Sequence, residues 1–291
     1  IVVITPAMIS GSCLGDIFKK YPNRSFDVGI AEEHAMTFAA GLSNGGKKPY
    51  ITVYSSFLQR AYDQINHDIA RMDLPCLIGV DRSGLVGSDG ETHHGVFDIS
   101  FLSSIPHLTI MTPKDAYEAK AMVNTAMKQF DHPYILRFPK GSVEDCQVDT
   151  SETLQIGTWE KIIDNPDYHL TIVTYDAKVY KVKAMIENNQ LPVNLINARF
   201  IKPLDFAMLD ELYENHQSLI IYETDLMTGS LGSLICQYYA LKHRYMSIDC
   251  MGIDDHYTPQ GDIETLLKHE HIAIDDLLTL TKEKCREERK S

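Results

Sequence analysis

Four short segments carry residue types that could do chemistry together. The first is Phe26-Asp27-Val28-Gly29-Ile30-Ala31-Glu32-Glu33-His34-Ala35, where a strand ends at a glycine and a helix opens on two carboxylates. Acidic residues suit a first helical turn, so the local pattern alone fits simple capping. A carboxylate at the mouth of a parallel sheet is also where ligands bind in such folds. The second segment, Tyr54-Ser55-Ser56-Phe57-Leu58-Gln59-Arg60-Ala61-Tyr62-Asp63-Gln64, follows a strand and opens a helix. Its rings can stack on a planar heterocycle and Arg60 can grip a carboxylate or phosphate; the plain alternative is that Tyr54 and Phe57 only pack. The third, residues 81–95, puts four glycines, Arg82, Asp89 and the adjacent His93 and His94 in one polar loop. Neighbouring histidines rarely converge on one ion and no third ligand is near, so acid, base or hydrogen-bond chemistry fits better than a metal. The fourth, Leu136-Arg137-Phe138-Pro139-Lys140-Gly141, ends a strand on an arginine, with a surface ion pair as the plain reading.

These segments need a scaffold, and the surrounding pattern provides one. Strand-like runs at 1–4, 50–54, 76–80, 108–111 and 134–138 alternate with helix-like stretches at 31–42, 58–71 and 115–130. Such alternation predicts a mostly parallel sheet with helices on both faces and right-handed crossovers. All four candidate segments then fall at carboxyl ends of parallel strands, which predicts one crevice. Residues 141–167 are polar, with an acidic Glu144–Asp145 pair and an Asn165–Pro166 breaker, and read as a connection with a short strand near 157–162. Alternation resumes with strands at 170–175, 192–196, 218–222 and 245–251, helices at 178–189, 204–215 and 230–241, and a charged helix at 274–288. The expected fold class is α/β, with two doubly wound domains in series: residues 1–142, a linker over 143–167, and a smaller domain over 168–291.

The 291 residues carry a net charge of −13, which disfavours general nucleic-acid binding; an anionic substrate would need local arginines. No apolar run approaches the roughly 20 residues of a membrane span. The start shows no basic leader and opens inside a strand, so the natural chain is expected to begin earlier and to be cytoplasmic. The six cysteines form no CxxC pair and read as reduced thiols.

Together DVGIAEEHA, YSSFLQRAYDQ, DRSGLVGSDGETHHGVFD and RFPKG resemble the 1-deoxy-D-xylulose-5-phosphate synthase family, relatives of transketolase. NARFIKPLD and ETDLMTGSLGS extend the resemblance through the second domain, to nearly the whole chain. It implies a thiamine-diphosphate and magnesium enzyme that condenses pyruvate with glyceraldehyde 3-phosphate, releasing carbon dioxide, for isoprenoid, thiamine and pyridoxal synthesis. By resemblance Glu32 protonates or hydrogen-bonds the aminopyrimidine, Phe57 stacks on it beside Ile30, and His93 meets substrate oxygens. Tyr54, Arg60, Arg82, Asp89 and Arg137 match positions lining the substrate channel, with Arg60 also beside the cofactor. The family's GDG motif with a following asparagine does not occur, so diphosphate and magnesium contacts are expected in a missing amino-terminal domain. The chain is then expected to be inactive alone, to work as a homodimer, and to have a mobile 82–95 loop. A separate subunit pairing with a diphosphate-binding chain, as in split transketolases or 2-oxo acid dehydrogenases, and a non-catalytic scaffold are the competing readings.

Overall fold

A computed structural model of the chain describes residues 1–141 and 151–288. The Glu144–Asp145 pair and the first part of the expected linker lie outside the described residues. Among the described residues there are twelve strands. In chain order they are β1 (Val2–Thr5), β2 (Ser25–Asp27), β3 (Pro49–Tyr54), β4 (Cys76–Ser83), β5 (Thr109–Met111) and β6 (Pro133–Pro139). Then follow β7 (Glu160–Ile163), β8 (Leu170–Thr174), β9 (Val193–Asn197), β10 (Phe200–Lys202), β11 (Ser218–Leu226) and β12 (Ile248–Ile253).

They build two sheets. The first has the order β10-β5-β6-β4-β3-β1-β2 and is parallel except where β10 joins β5. The second has the order β12-β11-β8-β9-β7 and is parallel except where β7 joins β9. Strands such as β1 (VVIT) and β8 (LTIVT) are rich in β-branched residues and buried at every position. That is the composition expected of strands covered on both faces. The helices between them begin at visible signals. Asp115 accepts from the Glu118 backbone N–H at 2.7 Å to start Ala116–Gln129, and Asp205 accepts from Met208 at 2.9 Å to start Phe206–Glu214.

Three features depart from the simple reading. The expected helix over 58–71 starts at Ser55, tightens to a 3₁₀ turn over Gln59–Ala61, and widens to π pitch over Ile65–Ala70. A short helix, Asp98–Ser103, follows the polar loop. Finally, β10 leaves the second half of the chain to pair with the edge of the first sheet, so the domains interlock as well as follow one another. One apolar cluster accordingly runs from Val2 and Ile51 through Trp159 and Phe200 to Tyr239. Trp159 spans the junction, donating from Nε1 to the Phe200 carbonyl at 2.8 Å.

A second link between the halves is ionic. Arg137, at the end of β6, is fully buried. It binds Asp98 through Nε and Nη2 at 2.9 and 3.0 Å, and Asp225 of β11 through Nη2 and Nη1 at 2.7 and 3.4 Å. The Tyr175 hydroxyl donates to Asp225 at 2.5 Å. Nearby, Glu223 accepts from the Leu231 and Gly232 backbone N–H groups, both at 3.1 Å. Burial, reinforced by the Asp225 charge, pushes the Glu223 carboxyl up to about 8.

Candidate active site

The strand order fixes where a ligand would sit. From β1 the chain moves outward to β2, then returns to the other side of β1 as β3. The gap between the ends of β1 and β3 is therefore a switch point, where the following loops diverge and open a crevice. A cavity of about 530 Å³ lies there, lined by residues 6–11 after β1, by Asp27, Ile30 and Glu32 after β2, and by Tyr54, Phe57 and Arg60 after β3.

Each side chain is held from below. Glu32 opens the helix Glu32–Asn44 and is only 1% exposed. Arg60 Nη1 donates to its Oε1 at 2.8 Å. Oε2 makes no hydrogen bond among the described residues, which leaves one oxygen for a ligand in the cavity. The Arg60 guanidinium also lies 4.7 Å over the Phe57 ring. Phe57 in turn packs against Tyr54 at 6.0 Å and meets His93 edge-on at 5.2 Å. Tyr54 is over-stacked by Arg82, whose carbon Cζ stands 4.1 Å from the ring. Asp89 bonds Arg82 Nη1 and accepts from Lys140 Nζ at 2.7 Å. The Lys140 hydrogen bond, with the charges of Lys140 and Arg82, holds the Asp89 carboxyl below its usual range. Gly11 makes room at the rim: a Cβ there would stand 1.8 Å from the Tyr54 hydroxyl and displace that ring.

Of the residues expected to act, Ile30, Glu32, Tyr54, Phe57 and Arg60 are thus brought to one cavity. His93, Arg82 and Asp89 adjoin it through the aromatic rings. Arg137 is not brought there: its guanidinium is committed to Asp98 and Asp225 inside the domain junction, and it does not line the cavity. The mismatch has a physical reason, since a strand-end arginine reads alike whether it faces a ligand or buried aspartates.

The 82–95 loop has internal and long-range hydrogen bonds. It is closed by paired backbone bonds between Gly84 and Gly95 at 2.7 and 2.8 Å. His94 pins it to the second half of the chain. Its Nδ1 accepts from the Val86 N–H at 3.2 Å, so Nε2 must carry the proton it gives to the Pro259 carbonyl at 3.0 Å. Gln260 adds a bond to the Ser88 carbonyl at 3.1 Å.

Several contributors were not singled out by sequence. Asp27 accepts from Ala7 N at 2.8 Å and Gly29 N at 3.0 Å, joining two walls of the cavity. The Asp-x-Gly spacing of an Asx turn was the available signal. The loop 6–11 and Lys140 carried none, because their roles depend on register between distant strands.

The comparisons with known proteins agree with this geometry. Residues 1–145 match the family model "Transketolase, pyrimidine binding domain", and residues 160–275 match "Transketolase, C-terminal domain". The chain is 45% identical over 280 residues to a 1-deoxy-D-xylulose-5-phosphate synthase of Lysinibacillus sphaericus, covering 95% of this chain and 44% of that protein. The namesake from Bacillus licheniformis is 45% identical over 284 residues, covering 96% of this chain and 44% of the relative. That from Listeria monocytogenes is 42% identical over 288 residues, covering 97% and 47%. The chain thus spans less than half the length of these curated relatives. Among solved structures, a split-gene transketolase described as an inactive beta4 tetramer superposes with a TM-score of 0.83. It is 23% identical, with 97% of this chain and 91% of that one covered, a likeness of fold.

Proposed function

This chain belongs to the transketolase family, as its two domains and its synthase relatives show, and we propose that it forms the pyrimidine-binding and C-terminal portion of a 1-deoxy-D-xylulose-5-phosphate synthase. In this reading residues 1–142 and 168–291 are the two domains and 143–167 their connection, corrected at its end by β7, which joins the second sheet. The whole enzyme condenses pyruvate with glyceraldehyde 3-phosphate and releases carbon dioxide. Thiamine diphosphate supplies the carbon nucleophile when bound. Its magnesium and diphosphate are held by an amino-terminal domain not included in these residues.

The single observation that carries the reading is a buried carboxylate facing an aromatic-walled cavity at the switch point of the sheet. The residues fit an aminopyrimidine. Phe57, Ile30 and Met8 offer apolar contact to a flat ring, and Glu32 offers an oxygen to its polar edge. Glu32 would hold or pass a proton at that edge, and Arg60 would keep its carboxylate oriented. His93, beside Phe57, is placed to hydrogen-bond substrate oxygens. Arg82, fixed by Asp89 and Tyr54, supplies positive charge for a phosphate in a protein of net charge −13. Ile30 is 81% exposed, which suits a surface completed by another domain or protomer and supports a homodimer. No helix among the described residues is long and apolar enough to cross a membrane, and a cytoplasmic enzyme fits that observation.

The test is calorimetric titration of the chain with thiamine diphosphate and magnesium, alone and with the separately produced amino-terminal domain of a related synthase. Cofactor binding and pyruvate decarboxylation should appear only in the mixture and be abolished by Glu32→Gln. Tight binding by this chain alone, or full activity with Glu32→Gln, would overturn the reading.

A further inference from the structure

Away from the cavity, the segment after β12 and the end of the helix Ile263–His269 bring three metal-ligating side chains together. The ligand atoms of His256, His269 and Glu270 all lie within 4.8 Å of one another. The histidines are exposed, while the Glu270 side chain is 1% exposed. Neither Glu270 carboxylate oxygen has a hydrogen-bond partner among the described residues. A buried carboxylate left without donors is costly, and a bound cation would compensate it.

His256 approaches it without filling that role by a hydrogen bond. Its Nε2 stands 2.7 Å from Glu270 Oε2, yet the two do not align as donor and acceptor. Close donors that do not point at each other are the arrangement of neighbouring ligands around one ion. Metal–ligand bonds of ~2.1 Å at angles between octahedral and tetrahedral space such atoms by ~3.0–3.4 Å; the His256–Glu270 pair at 2.7 Å is close to that spacing, and the His269 ligand atom lies within 4.8 Å of both. An ion pair between His256 and Glu270 alone would leave Oε1 bare and give His269 no part in the cluster.

The geometry points to a divalent transition-metal site formed by His256, His269 and Glu270, of the zinc class, with water completing the coordination. Two imidazole nitrogens and one carboxylate suit zinc, cobalt or iron(II) and disfavour magnesium and calcium, which prefer all-oxygen shells. The site does not depend on the proposed reaction. Its reach is structural. His256 precedes Pro259 and Gln260, which hold His94 and Ser88 of the loop beside the cavity. An ion here would fasten that loop through the segment 254–262.

Cobalt(II) is a suitable probe because its visible absorption reports coordination geometry. The chain, stripped with a chelator, should bind one equivalent with a ligand-field band. His269→Ala removes an exposed side chain outside the ion pair, so the fold should persist by circular dichroism. Its cobalt affinity should fall by more than the ~10–100-fold that outer-shell changes typically cost. Glu270→Gln should do the same, and His243→Ala, an exposed histidine elsewhere, should leave binding intact. Absence of saturable binding, equal affinity in His269→Ala, or an equal loss in His243→Ala would each overturn the site.

Discussion

Replacing Arg137 with methionine tests what joins the two halves of the chain. The substitution keeps the length of the side chain but removes the cation that bridges Asp98 and Asp225 among the described residues, together with four hydrogen bonds between 2.7 and 3.4 Å. Hydrogen bonds to charged groups contribute ~1.5–3 kcal/mol each, so a simple sum would reach ~6–12 kcal/mol. The cluster has a cheaper escape, which is to take up a proton. From an ordinary carboxyl pKa of ~3.9 that costs ~1.4 kcal/mol per pH unit, or ~4 kcal/mol at pH 7. Protonation therefore caps the loss, and the expected destabilisation is ~3–5 kcal/mol at pH 7, the range known for broken buried pairs. The sign with pH follows. A carboxyl raised in the folded state gives stability that is complete below its unfolded value and lost as pH rises. The deficit of the variant should therefore shrink by ~1.4 kcal/mol for each unit between pH 7 and pH 5. Urea unfolding followed by the fluorescence of Trp159, the single tryptophan, reads this at the junction itself. A deficit below ~1 kcal/mol at pH 7, or one of the same size at both pH values, would refute the assignment of Arg137 to a desolvated cluster.

Other outcomes follow from the same structure. Glu223 is raised from 4.5 to about 8, so the stability from its retained proton is complete below 4.5 and lost as pH rises toward 8. Unfolding free energy should thus fall across that window by up to ~1.4 kcal/mol per unit, and Glu223→Gln should flatten the slope whatever it does to the absolute level; identical slopes would count against the raised carboxyl. His94→Ala should cost ~2 kcal/mol by leaving the Val86 N–H and Pro259 carbonyl without their shared partner, and should speed proteolysis within 84–95; an unchanged cleavage rate would mean the histidine does not pin the loop. Gly95→Ala places a Cβ 2.3 Å from the Arg82 carbonyl and 2.6 Å from Ser55, a clash with backbone that should cost ~1–3 kcal/mol in thermal unfolding and reduce activity of the reassembled enzyme.

Much of this molecule was legible from its residues. The αβ alternation and the burial of runs such as LTIVT carry the parallel sheets, and Asp115 and Asp205 mark helix starts by their capping chemistry. Glu32, Phe57 and Arg60 were legible as a group because each lies in a segment that follows a strand, and parallel strands end on one side. What escaped was set by partners distant in sequence. Phe200–Lys202 reads as a loop until its pairing with Thr109–Met111 is known. His94 looks like a second reactive histidine beside His93, yet its two ring nitrogens are used up by Val86 and Pro259. Arg137 looks like a surface ion pair or a substrate-channel residue until the aspartate 88 residues later closes on it.

The strand β10 carries a practical consequence. Cutting the chain in the polar connection would seem to free two self-sufficient pieces. It would instead strip the amino-terminal piece of an edge, leaving the β5 backbone of Thr109–Met111 open to any extended segment in solution. The carboxy-terminal piece would keep the short strand Phe200–Lys202 without the β5 edge that it pairs with. A cut at that seam would produce sticky halves, so the two sheets are best expressed, stored and engineered as one inseparable unit.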